Sequence, residues 1–261
     1  MKRVSVLIIL LFAVLRSATA QNNNWTFFVG WNQAIGDFAK SDIPSNDWAL
    51  ISYESTKGGA GYGFDLGVSY SHPLVGSNAS IVVSADFIYT DVNYDIRHKT
   101  NMSIIDARNN FDKVNIISPK FINVPILAGA RYEFEMSSKY SFYLEAQAGL
   151  AIRKITNRSA SFIGGKEPIS IGGVNMYDYV YTDHFYGSAS LAFHISIGFV
   201  ENAHWIADLG LWSMGSMPVE GYEEYEMNTT TTPGLRSYGT HSFTVGNIIP
   251  AFFTLKIGYR L

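Results

Sequence analysis

The 261-residue chain has no cysteine. Its fold therefore rests on neither disulfides nor thiolate metal sites, and a lipid anchor on an N-terminal cysteine is excluded. Beyond its first twenty residues it also lacks any apolar run near the ~20 residues that a membrane-spanning helix needs. If the chain crosses a bilayer, it crosses as strands. Charged residues are scarce at 16%, and no Pro/Ser-rich linker, heptad pattern or low-complexity run divides the sequence. One domain over residues 21–261 is the expectation, and the formal net charge of -3 argues against nucleic acid as a partner.

The first residues read as an export signal. Lys2 and Arg3 form a basic start, Val4 to Leu15 an apolar core, and Ala18-Thr19-Ala20 a small-residue cleavage site, so residues 1–20 are expected to be removed. The rest holds most of the 23 Gly, 16 Tyr and 17 Phe, a composition of strand formers with few helix-surface residues.

Period-two alternation is the main signal. At the C-terminus, Phe253, Leu255, Ile257, Tyr259 and Leu261 share one face, and Thr254, Lys256, Gly258 and Arg260 share the other. Upstream, Ile122 to Phe134 alternates against Asn123, Gly129, Arg131 and Glu133. After Ser137-Ser138-Lys139, Phe142 to Ile152 alternates against Tyr143, Glu145, Gln147 and Arg153. Five further segments run from Trp25, Phe64, Ile81, Phe185 and Trp205, which gives eight. Four connections, Gln33 to Ala60, Tyr94 to Pro119, Thr156 to Asp183 and Ser213 to Gly246, are long and polar, while the three between them are short.

The expected fold is therefore all-β: a closed antiparallel up-and-down transmembrane β-barrel of eight strands in an outer membrane. Short turns and both termini are expected on the periplasmic side, and long loops outside. A soluble β-sandwich or lipocalin-like barrel also alternates. Polar faces of Gly, Ser and isolated charges, together with aromatics at strand ends, favour lipid outside.

Asn123-Val124-Pro125-Ile126-Leu127-Ala128-Gly129-Ala130-Arg131-Tyr132 resembles the mid-barrel strand of the outer-membrane β-barrel domain proteins of the Bacteroidetes type. Ala34-Ile35-Gly36-Asp37-Phe38-Ala39 is similar to the loop after their first strand. Phe253, Leu255, Ile257, Tyr259 and Leu261 look like the C-terminal signal read by outer-membrane assembly machinery, with Leu261 where that signal favours an aromatic. The resemblance implies fold and location more than activity.

The candidate functional residues are charges on the polar faces: Asp65, Asp86, Arg131, Glu133, Glu145, Arg153, His194, Asp208, Lys256 and Arg260. An eight-stranded barrel is only just wide enough for side chains, so these charges are expected to pair and plug the lumen. A narrow ion path is the alternative. His184, Ser188 and His194, with His204 and Asp208, could be read as a lipid-modifying enzyme's site, yet no Gly-x-Ser-x-Gly signature occurs. No His-x-x-x-His pair suggests a metal. Asp37, Asp42 and Asp47 lack the alternating ligands of a calcium loop, and no cofactor is expected. The last long connection, with Glu220, Tyr222, Glu223, Glu224, Tyr225 and Glu226, reads as an acidic, solvated loop. The expectation is a non-enzymatic barrel that contacts outer-membrane lipid and lipopolysaccharide, with a possible extracellular ligand at its loops. A secretion-system accessory role fits the same pattern.

Overall fold

The computed structural model describes residues 24–40, 59–92, 111–166, 169–171, 174–229 and 236–261. The expected export signal over residues 1–20, together with Asp42 and Asp47, lies outside the described residues. The described strands are β1 (Asn24–Ala34), β2 (Ala60–Pro73), β3 (Ala79–Val92), β4 (Phe111–Ile117), β5 (Phe121–Glu135), β6 (Tyr140–Ile155) and β7 (Arg158–Gly165). They continue with β8 (Ile169–Ile171), β9 (Val174–Phe185), β10 (Ser188–Glu201), β11 (Trp205–Met214), β12 (Met217–Thr229), β13 (Arg236–Ile248) and β14 (Ala251–Arg260).

Eight of these close into an antiparallel barrel in the order β1-β14-β11-β10-β6-β5-β3-β2. They are the eight alternating segments of the sequence. Closure comes from β1 and β14, which pair from Thr26↔Arg260 to Ala34↔Phe252. The Leu261 N–H then bonds the Trp25 carbonyl at 2.9 Å. Both ends of the barrel strand set, Asn24 and Arg260, lie at the end that carries the three short turns, hereafter the turn end.

The barrel is inside-out relative to a soluble protein. Outward-facing Val29, Leu191 and Ile257 are exposed by 58%, 59% and 58%, whereas inward-facing Asp65 and Lys256 are exposed by 0% and 3%. Such an apolar wall around a charged interior is stable only against lipid. At the turn end the wall is ringed by aromatics: Trp25 meets Tyr70, Phe134 stacks on Phe142, Tyr140 stacks on Phe199 and Trp205 packs edge-on to Tyr259. Phe64, Phe87 and Tyr89 form a similar group nearer the other end. Amphipathic rings favour these two interfaces.

Two sequence details shape the wall. Pro125 has no N–H to donate, and the β3–β5 ladder is interrupted there, running from Ala85↔Ile126 directly to Ile88↔Asn123. Gly198 leaves room for the ring of Tyr143 on the neighbouring strand, since a Cβ on it would stand 2.1 Å from that ring.

The long connections differ from expectation. Described parts of three of them form six strands rather than polar loops. Five make a second sheet in the order β13-β12-β9-β7-β4, with β8 pairing β9. That order repeats the barrel order β14-β11-β10-β6-β5, because each sheet strand continues its barrel strand across a break of two or three residues. Part of the barrel wall therefore extends beyond the lipid belt. The acidic stretch around Tyr222 is strand β12, paired on both sides by β9 and β13. Its alternation is hard to read because neither face meets lipid, so charges occur on both. Phe185 also moves: period two groups it with lipid-facing Ala189, but the irregular step at Tyr186 and Gly187 turns it inward, and it is buried in an apolar cluster.

Candidate functional site

The lumen is filled at two levels. Nearer the turn end lies an ionic cluster centred on Lys256, whose Nζ is 2.5 Å from Asp86 Oδ1 and 3.0 Å from Asp65 Oδ2. The register delivers these groups, since Lys256 pairs Gly30 and Gly30 pairs Asp65. Lys256 also lies 5.1 Å from the centroid of the Trp212 ring.

Beside it, Arg131 donates from Nε to Glu145 Oε2 at 2.7 Å and covers the ring of Tyr143 at 4.1 Å. The Tyr143 hydroxyl donates to Asp208 Oδ2 at 2.6 Å. Gln147 donates to Glu145 at 3.0 Å and accepts from Ser84 at 2.5 Å. His194 stacks on Trp212 at 4.2 Å, with Nδ1 3.9 Å from Glu145. Charges buried this deeply persist because each has an opposite charge or a polar partner. Between Asp86, Glu145, His194, Asp208 and Lys256 a cavity of about 20 Å³ is left, room for about one water molecule.

Of the ten charges expected in one network, seven form this cluster: Asp65, Asp86, Arg131, Glu145, His194, Asp208 and Lys256. Glu133 and Arg260 make a separate pair toward the turn end, 3.5 Å apart, with Ser141 bonded to Glu133. Arg153 departs from expectation. It is 1% exposed and bonds no carboxylate among the described residues, donating instead to the carbonyls of Gly215 at 2.6 Å and Ser216 at 3.0 Å. These carbonyls lie at the break between β11 and β12, where the ladder leaves them to a side-chain donor.

Above the ions, the inward positions turn apolar. Ala34, Ile88, Phe121, Leu127, Trp212 and Phe252 belong to one buried cluster at the far mouth of the barrel. Phe38, on a single 3₁₀ turn (Gly36–Phe38) after β1, inserts into it and packs edge-on to Phe121 and Phe252 at 5.0 and 5.1 Å. Asn32, fully buried, donates to the Phe64 carbonyl at 2.7 Å and accepts from Thr90 at 2.9 Å, tying three strands together below this plug. In the sequence Asn32 lies on the polar parity of the segment from Trp25, and Phe38 falls in the connection after it. The sequence signal for Phe38 is a large apolar residue two positions after Gly36.

The second sheet carries its own polar row. Register places Arg158, Asp183, Glu223 and His241 side by side on four successive strands. Arg158 donates from Nε to Asp183 Oδ2 at 2.6 Å. Burial raises the pKa of Asp183 against the pull of Arg158, and burial followed by Asp183 itself raises that of Glu223. Burial likewise pushes the neighbouring Tyr181 phenol up to about 12.

On the opposite face, His184 lies 3.1 Å from Glu224, 3.0 Å from Asn157 and stacks on Tyr222. The residues that a lipid-modifying site would draw on are not assembled. His184 is on this face, His194 and Asp208 are in the lumen, and His204 at the turn end bonds the Arg260 carbonyl. Asp37 pairs with Lys40 at 2.8 Å. No group of three metal-ligating side chains occurs among the described residues.

No protein-family model and no curated protein matches the chain. Solved structures similar to it include Ail, the attachment invasion locus protein of Yersinia pestis, at 14% identity and TM-score 0.39, covering 92% of this chain and 100% of that one. The outer membrane protein OprG from Pseudomonas aeruginosa is similar at 11% identity and TM-score 0.38, covering 92% and 96%. Neisserial surface protein A is similar at 13% identity and TM-score 0.33, covering 92% and 98%. Nothing about this chain's activity follows from these likenesses.

Proposed function

We propose that the chain is a non-enzymatic outer-membrane barrel of a Gram-negative cell, exported by residues 1–20, with a closed interior and a working surface at its second sheet. In this reading the turn end and both termini are periplasmic, and the sheet end faces outside, serving surface interaction or envelope integrity. The Bacteroidetes-type resemblance of residues 123–132 belongs to the same reading.

The observation that carries it is the two-level seal: an ionic cluster with a cavity of about 20 Å³, roofed by the Phe38 plug. A lumen filled in this way leaves the five-stranded extension as the most elaborate accessible surface. The test is a planar-bilayer recording of refolded protein, checked for folding by heat-modifiable gel migration. Silence is expected, whereas steady conductance would retire the closed-interior reading in favour of a narrow channel. Lipid turnover by refolded protein that disappears in His194→Ala would overturn the non-enzymatic part.

A further inference from the structure

The turn end holds a cleft of about 730 Å³, within the usual range of small-ligand sites. It lies among the three short turns, which are fastened to one another beyond the strand ladders. The Glu133 N–H bonds the Asn78 carbonyl at 2.9 Å, and the Asn202 N–H bonds the Lys139 carbonyl at 2.7 Å. Its walls are therefore preorganised.

The chemistry of the lining is specific. Ser77 and Ser137 each accept main-chain N–H bonds, from Ala79 and from Lys139 and Tyr140, so each hydroxyl retains its proton to donate. Glu135 and Lys139 line the same cleft and have no side-chain partner among the described residues. Met136, 66% exposed, adds an apolar surface between them. Of the two carboxylates in the lining, Glu133 is held by Arg260 and Ser141, which leaves that of Glu135. Hydroxyl donors, this carboxylate, one ammonium and an apolar patch together match a ligand that carries hydroxyls, an amine, a carboxylate and C–H faces.

We propose that this cleft binds the glycopeptide of the cell wall, whose amino sugars and peptide stems carry those groups. The carboxylate of Glu135 would meet a stem ammonium, and Lys139 a stem carboxylate. This rests on the turn end being periplasmic, as in the reading above, and goes beyond it by giving that end a ligand.

The test is co-sedimentation of the full-length, refolded protein with purified peptidoglycan sacculi. Pelleting is expected, and the E135Q/K139Q double variant is expected to bind roughly tenfold more weakly, since two charge-assisted contacts are lost. Both substitutions are at the surface, and heat-modifiable migration confirms that the variant folds. Soluble muropeptides are expected to displace the wild type from sacculi. A wild type that stays in the supernatant, a double variant that pellets equally well, or a failure of muropeptides to compete would each overturn the proposal.

Orientation is read separately. Because the chain has no cysteine, S138C and Y238C each place a single thiol at one end. An impermeant maleimide on whole cells is expected to label only Y238C. Labelling of S138C instead would sink the membrane orientation, while sacculus binding by purified protein still reports on the cleft itself.

Discussion

Lys256 is the residue on which the lumen's charge balance turns. It lies within ion-pair distance of two carboxylates, Asp65 and Asp86, and all three are almost wholly withdrawn from solvent. Lys256→Met keeps the stem but strands two buried anions. Losing one partner from a buried ionic cluster costs about 3–5 kcal/mol. Urea unfolding of the refolded variant in detergent is expected to show a loss of that size, and an unchanged midpoint would mean that the cluster contributes no net stability. A gain is expected elsewhere. Asn202 and Ala203 form the β10–β11 turn with φ of 52° and 60°, and Ala203 has no side-chain hydrogen bond to compensate for the left-handed backbone. Ala203→Gly is expected to raise stability by about 0.5–1 kcal/mol, the relief of strain being partly offset by a more flexible unfolded chain. The same unfolding experiment reads it.

At the scale of elements, the sheet beyond the barrel has a pH dependence of its own. Asp183 and Glu223 stand directly opposite each other on β9 and β12, flanked by Arg158 on β7 and His241 on β13, with His184 and Tyr181 nearby. Both carboxyl pKa values are raised in the folded sheet. A raised folded value means that the stabilising contribution is complete below the unfolded carboxyl pKa and is lost as pH rises through the folded one. The sheet is therefore expected to resist limited proteolysis better at mildly acidic pH than at pH 8. Glu223→Gln is expected to flatten that difference while the barrel core stays protected throughout. Equal cleavage rates at both pH values in the wild type would refute the coupling.

The same scale explains what could be read from sequence. Lipid enforces apolar residues at every second position, so all eight barrel strands were legible, down to Phe253, Leu255, Ile257 and Tyr259 of the last strand, with Leu261 just past its end. Most of the inward charges were legible because they interrupt those runs at the other parity. Arg153 was misread because carbonyls freed at a strand break leave no trace in the sequence. Strands such as β12 were missed because Gly221 and Glu223 interrupt the inward apolar run of Met217, Val219, Tyr225 and Met227, and Tyr222 stands among the charges of the other face. Phe38 and the inward turn of Phe185 depend on contacts distant in sequence, which alternation cannot report.

For the whole molecule, the closed-interior reading makes closure redundant. Phe38 roofs the apolar layer, and the ionic cluster fills the layer beneath it. Phe38→Ala removes a fully buried ring, a change that costs about 3–5 kcal/mol. The variant is expected to unfold earlier yet remain electrically silent, because the lower layer is untouched. Current through Phe38→Ala alone would show that the apolar roof is the single barrier.

The breaks between wall and sheet have a mechanical consequence. Five barrel strands leave the lipid belt and carry straight on into the sheet, so anything gripping the sheet pulls along strand axes. Interstrand hydrogen bonds run across those axes, and such a load is carried in shear by a whole ladder of bonds rather than peeled one at a time. A pull on the sheet along the strand axes is therefore shared by most of the barrel wall, which acts as a mooring against that load.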